Sequence, residues 1–241
     1  MGTEPTRTAL PAQLSTVLFD VGNTLHHLDH AFIAAAITRH AHRVDAHAVA
    51  IAEHTAKTAV DAQFRARAAG QDGSRRLSYF GTILEALAVS PEAIEAIIAE
   101  LQAEDVRASL WRVMHPHTPG VLDTLRRRGF TLGVVSNADG RVPAALQARG
   151  IADHFTIVVD SHLVGVEKPD ARIFEIALEA CGSPAAAAIY VGDIYEIDVR
   201  GARNAGLTPV LLDPLGCYRQ PDCARITSLT DLLDLLPDRA A

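Results

Sequence analysis

The stretch Val17–Leu25, with the sequence VLFDVGNTL, decides the fold of this chain. An apolar run ends at Asp20, and a turn that contains Gly22 follows it. The run predicts a buried strand of a parallel sheet that ends at this aspartate. Open α/β sheets bind their ligands at the C-terminal ends of such strands, so Asp20 is the first candidate for a functional side chain.

Three further stretches place polar side chains in comparable positions. The run LGVVSN, residues 132–137, predicts a strand that ends in Ser136, and GVEKPD, residues 165–170, carries Lys168 just before a predicted helix. The run IYVGD, residues 189–193, predicts a strand that ends in Asp193, and Asp198 follows in the pattern G-D-x-x-x-x-D. One such pattern alone is weak because short patterns recur by chance, whereas four in one chain are strong support for a fold.

Together the four stretches resemble the four ordered motifs of the haloacid dehalogenase (HAD) superfamily of hydrolases. The resemblance spans Asp20 to Asp198 and points to the phosphatase-like branch of the superfamily. It implies an α/β fold, a Rossmann-like doubly wound parallel sheet, with an all-helical cap domain inserted after the first motif.

The periodicity of the chain predicts the same organisation. After residue 118, predicted strands and helices alternate, which indicates parallel strands with helices on both faces of the sheet. From about residue 30 to residue 112, every segment predicts helix; Ser90-Pro91 is a helix start, and a stripe of isoleucines and Leu101 follows at helical spacing. We therefore expect a core of residues 1–29 and 113–241 and a helical cap of residues 30–112.

The resemblance also implies a role for each motif residue. Asp20 is the expected nucleophile, which attacks phosphorus and forms an aspartyl-phosphate. Ser136 and Asn137 are expected to bind the phosphoryl group, and Lys168 to supply positive charge to it. The expected substrate is a small phosphorylated metabolite.

A magnesium ion is the expected cofactor. Mg²⁺ prefers oxygen ligands, and the resemblance assigns it the carboxylates of Asp20 and Asp193 and the backbone carbonyl of Gly22. Asp198 is expected to orient Lys168 or metal-bound water rather than to contact the substrate.

Gly22 is the one clear departure from the phosphatase pattern, which has a second aspartate at this position. That aspartate protonates the leaving group, and losing such a group typically slows a reaction by about 10²–10⁴-fold. Three interpretations are open. The substrate has a leaving group that needs no proton, as in an acyl or aryl phosphate, or else His26 or His27 replaces the acid. In the third interpretation, the protein is a catalytically weak phosphate-binding or interaction protein. The first two are favoured because the other motif residues are intact.

Two other branches of the superfamily fit less well. Haloacid dehalogenases proper act without a metal and carry a bulky aromatic residue where Gly22 stands, and the G-D-x-x-x-x-D pattern favours a metal instead. Phosphonoacetaldehyde hydrolases have a small residue there and use a cap lysine. Lys57 is the only lysine of the predicted cap, although its amphipathic helical context favours a solvated surface position.

Composition excludes several function classes. The formal net charge of -7 disfavours nucleic acid as a partner. The chain lacks the run of about 20 apolar residues that a membrane span requires. Three cysteines in no metal-binding spacing predict free thiols and a cytoplasmic location. A monomer and a homodimer are equally compatible with the sequence.

Overall fold

The computed structural model of the protein describes residues 10–11, 13–65, 72–219 and 221–238. The chain divides into two compact units. We call Met1–His26 with Met114–Ala241 the core unit, and His27–Val113 the helical unit. The sequence predicts residues 27–29 and 113 in the core, whereas this division places them in the helical unit.

A six-stranded parallel sheet forms the centre of the core unit. Its strands are β1 (Thr16–Phe19), β4 (Thr131–Ser136), β5 (Ile157–Asp160), β6 (Ala188–Gly192), β7 (Thr208–Leu212) and β8 (Ala224–Ile226). The strand order across the sheet is β5-β4-β1-β6-β7-β8. Numbered within this unit, the order is 3-2-1-4-5-6, that of doubly wound dinucleotide-binding sheets. The sheet confirms the predicted α/β architecture.

Helices cover both faces of this sheet, as the continuous apolar strands require. Side chains alternate between the faces, so Phe19 packs in one apolar cluster and Leu18 in another. On the second face, Phe174 packs against Tyr190 with ring centroids 4.9 Å apart. The helices of the core unit are α5 (Thr118–Arg127), α6 (Val142–Ala148), α7 (Ser161–Val164), α8 (Ala171–Ala180), α9 (Arg200–Asn204) and α10 (Leu232–Leu235).

The register of the sheet places the candidate residues at one edge. Phe19 pairs with Val134 of β4 and with Val191 of β6. The backbone N–H of Asp20 then donates to the carbonyl of Val191 across 2.9 Å. The ends of β1, β4 and β6 therefore lie side by side, at the point where the strand order reverses direction and such sheets bind ligands.

The described residues of the helical unit, 27–65 and 72–113, form four helices and a two-stranded ribbon. The ribbon pairs β2 (His27–Leu28) with β3 (Trp111–Val113) in antiparallel orientation. The expectation of helices alone over residues 30–112 was therefore wrong at Trp111 and Arg112, because the two segments that enter and leave the unit pair their backbones. The helices are α1 (His30–His40), α2 (Ala46–Arg65), α3 (Asp72–Ala86) and α4 (Pro91–Arg107).

Helix starts in this unit follow the capping signals. Helix α4 begins at Pro91 directly after Ser90, as predicted. The Asp45 carboxylate accepts a hydrogen bond from the Ala48 N–H across 2.8 Å at the start of α2. The predicted end of that helix near residue 69 lies outside the described residues. Within the described residues, no helix has both the length and the apolar character that crossing a membrane would need.

Helix α2 buries charged side chains at four-residue spacing. Glu53 is 2% exposed and Lys57 is 3% exposed, so the expectation that Lys57 is a solvated surface lysine was wrong. Lys57 lies one turn after the buried Glu53 on α2, so the Glu53 carboxylate is a partner for the charge of Lys57. The amphipathic pattern of the sequence does not reveal this pair. Glu53 itself lies 2.6 Å from His30 Nε2 and accepts from the Tyr79 hydroxyl across 2.9 Å.

Acid should weaken the helical unit through Glu53. Burial raises the pKa of Glu53, but the hydrogen bond from His30, the Lys57 charge and the Tyr79 hydroxyl lower it to about 2. A carboxylate with a lowered folded-state pKa stabilises the fold above its unfolded pKa, and that contribution disappears as the pH falls through the folded value. We expect Glu53→Gln to destabilise the unit by about 1–3 kcal/mol at pH 7 and to reduce the loss of stability between about pH 4.5 and 2.

Urea unfolding at a series of pH values measures this effect. Glu95→Gln is the matched control, because it removes the same charge from an exposed position on α4. The same pH dependence in wild type and Glu53→Gln would contradict the assignment.

Gly192 should tolerate no side chain. A Cβ atom there would lie 2.6 Å from both Cβ and Oδ2 of Asp198. Gly192→Ala is expected to cost about 1–3 kcal/mol, because the buried aspartate would have to move. Gly120→Ala in α5 meets nothing within 4 Å and should be neutral or stabilising. Chemical denaturation of both variants compares them, and equal stabilities would contradict the prediction.

Candidate active site

A buried lysine lies at the centre of the candidate site. The Lys168 ammonium donates to Asp20 Oδ1, Asp198 Oδ1 and the Tyr190 hydroxyl, each across 2.7 Å. Lysine has three ammonium protons, so these three acceptors use all of them. Lys168 is only 2% exposed. The structure therefore fixes this charge in one place instead of leaving it on a mobile side chain.

The carboxylate of Asp20 is held by two donors from neighbouring segments. Ser136 Oγ, at the end of β4, donates to Asp20 Oδ1 across 3.2 Å. Lys168 donates to the same oxygen. These contacts fix the rotation of the carboxylate at the tip of β1. The structure thus brings together the three side chains that the sequence predicts as catalytic.

Asn137 contacts the main chain of Lys168. Its side-chain amide donates to the Lys168 carbonyl across 2.9 Å and accepts from the Lys168 N–H across 2.7 Å. This pair holds the segment that carries the lysine beside the end of β4. The expected contact of Asn137 with a phosphoryl group stays a prediction.

Asp198 organises the loop that follows β6. Its Oδ2 accepts from the backbone N–H groups of Asp193 and Ile194 across 3.0 and 2.9 Å. A π-helical turn, Tyr195–Val199, bends the chain back so that the Asp198 carboxylate lies next to the end of β6. With Oδ1 bonded to Lys168, both oxygens of Asp198 have donors, which is the geometry that a role in orienting the lysine requires.

Burial and charge perturb these groups strongly. Burial raises the pKa of Asp20, the Lys168 charge lowers it, and the Asp198 charge raises it again, with a net rise. The pKa of Lys168 is raised: burial lowers it, but the charges of Asp198 and Asp20 outweigh that effect. Three carboxyl groups, those of Asp20, Asp193 and Asp198, lie close together in this buried space with the Lys168 ammonium.

The cluster of three carboxyl groups fits a divalent cation. One carboxylate oxygen of each of the three aspartates lies within 4.8 Å of the others. Asp198 already accepts hydrogen bonds on both oxygens, so Asp20 and Asp193 are the better ligands. Carboxylate oxygens are the ligands that Mg²⁺ prefers. A part for the Gly22 carbonyl stays a prediction.

The two histidines that could replace the missing acid lie in different units. His26 is 1% exposed in the core unit, and its Nε2 atom has no hydrogen-bond partner among the described residues. Burial, with a smaller contribution from Arg149, lowers the pKa of His26 to about 4. At neutral pH this imidazole therefore lacks the imidazolium proton that a general acid would give to a leaving group. His27 pairs with Val113 in the helical unit, and its role stays a prediction.

Sequence reasoning missed one residue of the site. Tyr190 is fully buried in the middle of β6, and its hydroxyl contacts Lys168. The only signal in the sequence is a tyrosine within an otherwise aliphatic run. A buried tyrosine hydroxyl usually has a hydrogen-bond partner, but the sequence does not identify it.

Comparison with known proteins defines the class of this fold and site. Residues 14–206 match the family model described as haloacid dehalogenase-like hydrolase. The match covers most of the chain, so the chain belongs to the haloacid dehalogenase-like hydrolase family.

Individual relatives share part of this sequence. Haloacid dehalogenase-like hydrolase domain-containing protein 3 of Bos taurus is 34% identical over 151 residues, or 60% of this chain and 60% of that protein. Phosphoserine phosphatase of Thermus thermophilus is 36% identical over 145 residues, 58% of this chain and 55% of that protein. The chain thus spans little more than half the length of these relatives.

A solved structure shares the fold. The HAD-hydrolase YfnB from Bacillus subtilis, bound to magnesium, matches with a TM-score of 0.65 at 18% identity, over 92% of this chain and 98% of that chain. At this identity the likeness shows the fold alone.

Magnesium should stabilise the protein against heat. A ligand that binds only the folded state, at 100 times its Kd, adds about 2.7 kcal/mol. We expect Mg²⁺ to raise Tm by several degrees in wild type and much less in Asp193→Asn. Asp153→Asn, at an exposed position of the same unit, is the matched control and should respond like wild type. An equal shift in all three proteins, measured by differential scanning calorimetry, would place Mg²⁺ elsewhere.

Proposed function

We propose that this protein is a Mg²⁺-dependent phosphatase that hydrolyses a small phosphorylated metabolite through an aspartyl-phosphate on Asp20. The observation that carries the proposal is the buried Asp20 carboxylate, oriented at the strand tip by Ser136 and Lys168. A nucleophile needs such positioning, and phosphoryl transfer depends mainly on positioning and on charge stabilisation.

In the first step, an Asp20 oxygen attacks phosphorus. The new Asp20–phosphorus bond forms while the bond from phosphorus to the leaving-group oxygen breaks. Lys168 and Ser136 lie beside the attacking carboxylate, where they can donate to the phosphoryl oxygens as charge develops on them. Bound Mg²⁺ would supply further positive charge to the same oxygens.

In the second step, water attacks phosphorus and the Asp20–phosphorus bond breaks. This restores the carboxylate and releases inorganic phosphate. In the family pattern, the residue at position 22 takes the proton from this water and earlier gives one to the leaving group. Gly22 has no side chain that can do either.

The absence of this acid favours substrates whose leaving group departs without a proton. Acyl and aryl phosphates have such leaving groups, whereas alkyl phosphates need protonation. The lowered pKa of His26 supports this choice over His26 as the acid, because a neutral imidazole lacks the acidic proton of the imidazolium. We therefore propose a preference for acyl or aryl phosphates.

One relative supports the reaction class. The Thermus relative is named a phosphoserine phosphatase, and the segment that it shares is 58% of this chain. The name concerns that protein, and the preference for a leaving group rests on Gly22 and not on this relative.

The test is phosphate release by the purified protein from acyl, aryl and alkyl phosphates with Mg²⁺. Release should occur with acyl and aryl phosphates and disappear in Asp20→Asn. Gly22→Asp should raise kcat on alkyl phosphates by about 10²-fold or more, because it restores the acid. Gly22→Asn is the matched control, since it adds a side chain of the same size without a titratable group.

Each result distinguishes between the readings of Gly22. Wild-type release from alkyl phosphates as fast as from aryl phosphates would show that another residue acts as the acid. An equal gain in Gly22→Asp and Gly22→Asn would also contradict the acid argument. No release from any substrate, with phosphate still bound, would favour a catalytically weak phosphate-binding protein.

A further inference from the structure

The Tyr190 hydroxyl connects two segments of the site. It donates to the Val135 carbonyl of β4 across 2.8 Å and accepts from Lys168 Nζ across 2.7 Å. Asp198 Oδ1 lies farther away, at 3.4 Å. Val135 directly precedes Ser136. The hydroxyl therefore joins the lysine to the strand that carries the serine.

The direction of these hydrogen bonds is fixed by chemistry. A phenol has one proton, a carbonyl can only accept, and an ammonium can only donate. A lone pair of the hydroxyl therefore faces Lys168. The proton points to the Val135 carbonyl at 2.8 Å, which is nearer than the other acceptor, Asp198 Oδ1 at 3.4 Å. Burial and the charges of Asp198 and Asp20 raise the pKa of Tyr190 well above its ordinary range, so the phenol keeps this proton.

The hydroxyl is also the only uncharged acceptor of the Lys168 ammonium among the described contacts. The other two acceptors are carboxylates on different segments, Asp20 on β1 and Asp198 after β6. Fixed distances to two acceptors confine Nζ to a circle around the line that joins those acceptors. The third acceptor, which is off that line and anchored to β4, fixes the position of Nζ on the circle and further restricts rotation of the ammonium about its Cε–Nζ bond.

We propose that Tyr190 is a positioning residue that sets the place of Lys168 relative to Asp20 and Ser136. Its contribution to catalysis rests on the proposed function, because it acts through groups assigned to phosphoryl transfer. Tyr190 touches none of the reacting atoms. Its ring packs against Phe174, so a purely structural role would depend on the ring and not on the hydroxyl.

Tyr190→Phe separates these two roles, because it keeps the ring and removes the hydroxyl. We expect kcat on an aryl phosphate to fall by about 10–100-fold with KM changed by less than about threefold, since a small misplacement of a catalytic group lowers the rate and not the binding. Tyr79→Phe is the matched control. It also removes a buried tyrosine hydroxyl, in this case one that donates to the Glu53 carboxylate. We expect it to leave kcat within about twofold.

A second measurement needs no substrate. Lys57 and Lys168 are the only lysines in the sequence, so protein labelled with ¹⁵N-lysine gives at most two side-chain ammonium signals. The Lys57→Arg variant assigns them. We expect Tyr190→Phe to shift or broaden the Lys168 signal, because a hydrogen bond is lost and rotation becomes freer, and to leave the Lys57 signal in place.

The two measurements separate the failure of this inference from failure of the proposed function. An unchanged Lys168 signal in Tyr190→Phe would overturn the inference whatever the activity. A changed signal with an unchanged kcat would overturn the catalytic contribution. A changed signal in a protein that releases no phosphate would support the contact with Lys168 and contradict the phosphatase assignment instead.

Discussion

The buried ammonium of Lys168 is the interaction on which the site depends. Parallel strands bring the carboxylates of Asp20, Asp193 and Asp198 to one edge of the sheet, where water is excluded and like charges repel. One lysine, bonded to two of these carboxylates, offsets part of that repulsion. Removing one partner of such a buried pair is strongly destabilising, because the other charge stays buried. The contacts of Lys168 with Asp20 and Asp198 therefore stabilise the fold and also position the groups proposed for catalysis.

The same charge balance explains how the site could react. Three carboxyl groups clustered in a buried space are costly in the folded protein, and a divalent cation would lower that cost. Buried ionisable groups with perturbed pKa values are common at functional sites. Under the proposed function, Gly22 leaves the nucleophile and its charge partners in place but removes the side chain that would protonate the leaving group. His26, with its lowered pKa, has no imidazolium proton to supply at neutral pH.

Most of the core could be predicted from sequence because its signals are local. Apolar runs that end in polar residues define both the strands and the strand tips, so the sheet and Asp20, Ser136 and Asp193 follow from the same pattern. Lys168 lies before a helix instead, and its role was predicted from the resemblance of its motif to the family. Features that depend on distant contacts could not be predicted. The burial of Lys57 depends on packing around α2, the strand at Trp111 depends on its pairing with Leu28, and the contact of Tyr190 with Lys168 joins residues 22 positions apart.

The central claim is that Asp20 becomes covalently phosphorylated. Rapid acid quenching of the protein during turnover of an acyl or aryl phosphate with Mg²⁺, followed by proteolysis and mass spectrometry, tests it directly. The account predicts one added phosphoryl group on the peptide that contains Asp20, removed by hydroxylamine as expected for an acyl phosphate. Phosphate release with no such adduct, or with the adduct on another residue, would contradict the account.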